Sequence, residues 1–107
     1  MRKSKISISG FKIGTAENRA GLTGVTVILA PDGGATAGVD VRGCAPGTRE
    51  TDLLDPRKTV QKIHAVVLSG GAAFGLEAAS GCVKYLAEQG VGFPIGNVCV
   101  PIVCSAV

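Results

Sequence analysis

Ser69-Gly70-Gly71-Ala72-Ala73-Phe74-Gly75-Leu76-Glu77 follows directly on the apolar run Ile63-His64-Ala65-Val66-Val67-Leu68, and this junction decides the fold. The apolar run reads as a buried strand, and the residues after the glycines read as a helix from Ala72 to about Gln89 with Gly90 at its C′ position. A strand feeding a helix through Ser-Gly-Gly predicts Ser69 as the N-cap. Gly70 and Gly71 remove every Cβ from the turn, so backbone N–H groups there can face a carbonyl oxygen or an anion. The competing reading is a strand-to-helix junction kept small so that the two backbones can approach closely. Neither phosphate-binding pattern fits: no Lys with Ser or Thr follows Gly75, and Ala72 stands where a dinucleotide fingerprint needs its second glycine.

Along the predicted helix, Gly71, Gly75 and Ala79 recur every fourth residue and form a smooth stripe for close packing. Leu76, Val83 and Leu86 add apolar bulk, and Lys84 and Glu88 are spaced as an exposed pair. Upstream, Lys5-Ile6-Ser7-Ile8-Ser9 alternates with period two, and Phe11-Lys12-Ile13-Gly14 reads as a second, edge strand. Glu17 to Gly21 reads as a turn. Val25 to Ala30 is a β-branched strand that ends at the turn signal Pro31-Asp32-Gly33-Gly34, and Thr36 to Arg42 resumes alternation, which predicts an antiparallel hairpin. Gly43 to Asp55 has no period and reads as a structured loop, either a solvated connection or a pocket rim. Asp55-Pro56 then signals a short helix to about Lys62.

The chain has 107 residues, 46% of them hydrophobic, with no tryptophan and sixteen glycines. Mean hydropathy is +0.37, so the core is built from Val, Ile, Leu and Ala with close backbone contacts. A formal charge of +3 is spread along the chain without a basic, aromatic-studded stripe, which argues against nucleic-acid binding. Met1 to Lys5 is basic but has no apolar segment behind it, and no apolar stretch is long enough to span a bilayer, so a cytoplasmic protein is expected. Cys44, Cys82, Cys99 and Cys104 lack a C-x-x-C spacing, and the lone His64 lies in an apolar strand. Reduced, buried cysteines and a locally satisfied histidine are expected, with no metal and no cofactor. Val98 to Val107 is a core-like segment without a polar cap, and it predicts that residues 1–107 are a single partial domain of a longer chain.

Several segments together resemble one family. Thr23-Gly24-Val25-Thr26-Val27-Ile28, Ala37-Gly38-Val39-Asp40-Val41-Arg42-Gly43, Pro46-Gly47-Thr48-Arg49-Glu50-Thr51-Asp52-Leu53-Leu54 and Val67-Leu68-Ser69-Gly70-Gly71 are similar, in order, to the L-aminopeptidase/D-esterase family. This is the DmpA and β-peptidyl aminopeptidase group, which includes nylon-oligomer hydrolases. The similarity continues through Ala73-Phe74-Gly75-Leu76 and Pro101-Ile102-Val103. The resemblance implies an α+β fold, part of an α-β-β-α sandwich, with strands, a hairpin and one long helix after the glycine-rich turn. It also implies a precursor that cleaves itself ahead of a Ser or Thr, whose new α-amine then serves as base for its own hydroxyl. In the family that point lies C-terminal to the matched region, so no catalytic residue is expected in this chain.

On this resemblance, Ser69, Gly70, Gly71 and Phe74 are the candidate substrate-binding residues. The substrate would be a short peptide, amino-acid amide or ester, and the partners the remainder of the enzyme and further copies in a homo-oligomer. Some relatives carry Tyr at the position of Phe74, which lacks the hydroxyl and offers only an apolar wall. Cys44 and Ala72 stand where relatives commonly have Gly and Ser. The alternative from another class is a non-catalytic binding or assembly segment with a structural glycine turn.

Overall fold

The computed structural model describes residues 7–107. They form β1 (Lys12–Asn18), β2 (Thr23–Leu29), the two-residue β3 (Thr48–Arg49), β4 (Ala65–Ser69), helix α1 (Ala78–Glu88), β5 (Phe93–Ile95), β6 (Val98–Val100) and β7 (Val103–Ala106). Single 3-10 segments cover Asp52–Leu54 and Ala72–Glu77. Five strands make one mixed sheet in the order β1-β2-β4-β7-β3, and β5 pairs with β6 in a separate hairpin. The architecture is α+β, as expected.

β4 is the centre of the sheet, antiparallel to β2 and parallel to β7, with Ala65 opposite both Leu29 and Val103. Its side chains alternate between two faces, which is why its burial alternates as well. Ala65 and Val67 point toward α1 and join Val103, Ala79, Cys82 and Leu86 in the main core, with Val25, Val27 and Leu29 packed against it. Val66 and Cys104 face the other way, where Ile63, Ile102, Ala37, Leu53, Leu54 and Val60 make a smaller cluster. That second face is covered only in part: Leu68 remains 47% exposed and Ile13, on the edge strand β1, 55%.

The helix ends as the sequence predicts. Gly90 takes φ +69, its N–H donates to Ala87 O at 3.0 Å, and the Val91 N–H reaches back to Leu86 O at 3.0 Å. This six-to-one, five-to-two pair closes α1 and turns Val91 into the core. The helix begins later than predicted, however. Residues 72–77 are wound as 3-10 because Gly71 and Ala72 both take left-handed φ, +96 and +53, which tightens the first turns. Ser69 is not the N-cap. Gly71 holds that position, and Ser69 is the last residue of β4. Of the small-residue stripe, Ala79 is fully buried and Gly75 half-buried, but Gly71 is exposed. Lys84 and Glu88 do not pair among the ion pairs of the described residues.

Three upstream expectations are corrected. Lys5 and Ile6 lie outside the described residues, and Ser7 to Gly10 form no strand but a turn in which the Phe11 N–H donates to Ile8 O. The turn at Pro31–Gly34 forms, but Thr36 to Arg42 is not a strand. β1 and β4 already occupy both edges of β2, so the chain makes one bridge, Ala35 to Ile63, and then lies over the second face. The hairpin is instead β1–β2, joined at residues 19–22. Asp55 to Lys62 forms no helix. The Asp55 carboxylate accepts from the Arg57 backbone N–H and guanidinium, the contact of a helix cap, but the chain makes only one turn, closed by the Lys58 N–H on Asp55 O. The Arg57 side chain holds that carboxyl down at about 2. Of Val98 to Val107, only residues 101–105 are continuously buried.

His64 is satisfied locally. Its Nδ1 accepts the Ile102 N–H at 3.0 Å, its own N–H donates to Ile102 O at 2.8 Å, and its carbonyl accepts from Ala30. Burial lowers its pKa below the ordinary 6.5, so the unfolded chain takes up a proton at a pH where the native ring does not. Stability from this group is therefore full above about pH 6.5 and declines as the pH is lowered through that value. Urea midpoints at about pH 7.5 and about pH 5.5 should diverge more for the wild type than for His64→Gln. Equal divergence in the two would remove His64 as the cause.

Candidate functional site

β4 delivers its last residue, Ser69, to the edge of a groove formed by the glycine turn and the tip of the β1–β2 hairpin. The larger part, about 870 Å³, is lined by Glu17, Arg19, Leu22, Thr23, Gly70 and Gly71, among others. It adjoins a part of about 370 Å³ lined by Ser69, Gly70, Phe74, Gly75 and Ala78, and the two parts share Glu17, Asn18, Thr23, Gly24 and Gly70. Of the four predicted site residues, Gly71 lines the larger part, Ser69 and Phe74 the smaller, and Gly70 both. Phe74 is 94% exposed beside it.

Backbone bonds and tight contacts hold the turn. Gly70 N–H donates to Gly24 O at 2.9 Å, which joins the turn to β2. The Ser69 hydroxyl donates to the Gly75 carbonyl at 2.7 Å, pulling the 3-10 segment back over the end of the strand. A Cβ on Gly75 would fall on the Gly70 carbonyl oxygen, and one on Gly70 would lie 2.5 Å from Thr23 Oγ1. Gly71 is glycine for a different reason: a Cβ there meets nothing closer than 3.5 Å, but φ is +96. Sequence spacing placed Gly71 in the tight stripe, whereas the close approach belongs to Gly70 and Gly75.

Arg49 was legible only as part of a loop, and the structure gives it a definite task. From β3 its Nη1 reaches Ser80 Oγ at 2.7 Å and Leu76 O at 3.5 Å, fastening the sheet edge to the start of α1. The turn expected at Glu17 to Gly21 forms at residues 19–22, between β1 and β2. The Asn18 side chain accepts the Gly21 N–H at 2.9 Å, an Asx-type turn whose Asn-x-x-Gly spacing was the available signal.

None of the described nucleophilic groups here is activated. Ser69 gives its proton to a carbonyl rather than to a base, and Ser105 Oγ is buried without a partner. Cys104 donates to Glu50 O, and burial and the Glu50 charge push its thiol up to about 11. Burial raises Cys82 too. Protonated, enclosed thiols are poor nucleophiles. No group of three His, Cys, Asp or Glu side chains converges among the described residues.

The sequence model of peptidase family S58 matches residues 6–107. An uncharacterized aminopeptidase of Mycobacterium tuberculosis is 52% identical over 84 residues, covering 78% of this chain and 24% of that protein. One from Mycobacterium leprae is 52% identical over 84 residues, covering 78% of this chain and 23% of its own length. A 6-aminohexanoate-oligomer endohydrolase of Paenarthrobacter ureafaciens is 39% identical over 85 residues, covering 79% and 21%. The chain thus spans roughly a quarter of the length of the curated relatives it matches.

The two ways in which glycine is required predict different costs. Gly75→Ala must push the turn off the strand end and should destabilise by about 2 kcal/mol, whereas Gly71→Ala has room and should lose about 1 kcal/mol through its backbone angle. Chemical denaturation of the two variants measures the order, and a Gly75→Ala protein as stable as wild type would show that the close approach is not a constraint.

Proposed function

The chain belongs to peptidase family S58, as its motifs led us to expect, and on that premise we propose that it is the N-terminal portion of an aminopeptidase that also takes amides and esters. The glycine turn carries the reading: Ser69, Gly70, Gly71 and Phe74 line two adjoining hollows that share Gly70 as a wall at the C-terminal end of the central strand. In this reading the groove receives a short peptide, amino-acid amide or ester. Backbone N–H groups of the turn donate to its acyl oxygen, and Phe74 forms an apolar wall. The nucleophile is an N-terminal Ser or Thr made by self-cleavage outside residues 1–107, with its own α-amine as base. Ser69 is assigned to the pocket and not to catalysis, which agrees with a hydroxyl already committed to Gly75 O.

The remainder of the enzyme is proposed to cover the second face of the sheet, where Ile13 and Leu68 are about half exposed, at 55% and 47%. Helix on one face and a second sheet on the other is the sandwich expected of the family. Homo-oligomer formation belongs to the same proposal.

Turnover of L-alanine p-nitroanilide tests the reading. The protein expressed from its complete reading frame should hydrolyse it, and the isolated 107-residue chain should not. Hydrolysis by the isolated chain that Ser69→Ala abolishes would overturn the assignment, and no turnover by either would favour a binding or assembly role. In the active protein, Gly71→Val should lower kcat/KM at least tenfold, about 1.4 kcal/mol, with folding and self-cleavage checked separately. Light scattering of the isolated chain should report self-association through its partly covered apolar sheet face, and a compact monomer that binds no hydrophobic dye would count against that face being an interface.

A further inference from the structure

Leu22 is the least expected residue in the groove. It occupies the last position of the β1–β2 turn with φ +50, a conformation that favours glycine or asparagine, and its side chain is 92% exposed. A leucine there is unfavourable to the turn and unfavourable in water, and within the described fold nothing compensates it. Backbone strain at a leucine that also lines a candidate site points to a contact outside the fold.

The groove supplies the place for that contact. Leu22 lines its larger part and Phe74 its smaller part, and the two parts have Thr23, Gly24 and Gly70 as common walls. At the shared wall β1 and β2 run close together, since a Cβ on Gly24 would lie 2.9 Å from Ala16 O. The charged residues at the tip do not set a sign for the wall, because Arg19 Nε pairs with Glu17 Oε1 at 2.9 Å in the open. What remains for recognition is apolar: two large hydrophobic side chains flanking a bare backbone turn.

We propose that Leu22 is a specificity-determining residue, which together with Phe74 grips an apolar side chain of the substrate while the glycine turn faces its acyl group. The inference rests on the proposed function and adds to it a preference for aliphatic over small side chains. The hairpin tip is thereby a wall of the substrate site and not a solvated turn.

The test uses the protein expressed from its complete reading frame and two substrates, L-leucine p-nitroanilide and glycine p-nitroanilide. Leu22→Asn keeps a residue at home in the left-handed region while removing the apolar contact. It should lower the leucine-to-glycine ratio of kcat/KM about tenfold, the size of a lost apolar pocket contact, mainly through the leucine substrate. Leu22→Met should restore most of the ratio. Val98→Ser, on the exposed β6 away from the groove, should leave it unchanged. Both substrates are measured on one preparation, so a variant that folds or assembles less well lowers both rates and leaves the ratio intact. A ratio unchanged in Leu22→Asn overturns the inference while the peptidase reading stands. Absence of turnover by the unmodified protein overturns the peptidase reading and this inference with it.

Discussion

The 2.7 Å bond from the Ser69 hydroxyl to the Gly75 carbonyl fixes the junction on which the rest of the helix-bearing face depends. It folds the six-residue 3-10 segment back over the end of β4, and only glycine at Gly75 permits the approach, because any Cβ would strike the Gly70 carbonyl. Where that segment ends sets where α1 begins, and so brings Ala79, Cys82 and Leu86 over Val67 and Val103. Arg49 secures the same region from the opposite sheet edge through Leu76 O and Ser80 Oγ. One strand end thus determines both the packing of the helix and the shape of the groove beside it.

The two faces of the sheet are unequal, and the inequality has a simple origin. The α1 face is closed by a helix whose apolar side carries small residues where the backbones come near and Leu86 where there is depth. The second face is covered by irregular chain, residues 35–42 and the 3-10 turn at Asp52–Leu54, which bury Ile63, Ile102 and Cys104 but leave Leu68 and Ile13 about half exposed. His64 joins the two arrangements, since its backbone bonds bridge toward β2 and toward Ile102 while its ring accepts the Ile102 N–H.

Much of this was legible in the sequence where a single element decides its own state. The apolar run before Ser69, the β-branched Val25 to Leu29, the Pro31–Gly34 turn and the Gly90 stop all form because local pattern and tertiary context agree. Thr36 to Arg42 alternates like a strand but finds no free edge, a competition that no local pattern reveals. Asp55-Pro56 carries a helix-start signal and Asp55 makes the capping contact with Arg57, but only a single turn follows. At the site, the glycines could be located, but their separate reasons could not: close approach at Gly70 and Gly75 and a left-handed backbone at Gly71 depend on coordinates. Leu22 carried no periodic signal at all, because its interest lies in a φ value and in what it adjoins.

The parallel pairing of β4 with β7 gives the chain a particular history during synthesis. β1, β2 and β4 can associate as soon as Ser69 has emerged, but one edge of β4 then waits for Val103 to Ala106, which arrive only after α1 and the β5–β6 hairpin have been made. β3 waits longer still in relative terms, since Thr48 and Arg49 have no partner until Ala106 and Ser105 appear. Loop closure over such separations is slow compared with local helix or hairpin formation, and an open edge on an apolar strand is a template for wrong pairing. The nascent chain therefore passes through an interval in which its central strand is half-paired. The order of translation, more than the stability of the finished sheet, makes that interval its point of greatest exposure to misassembly.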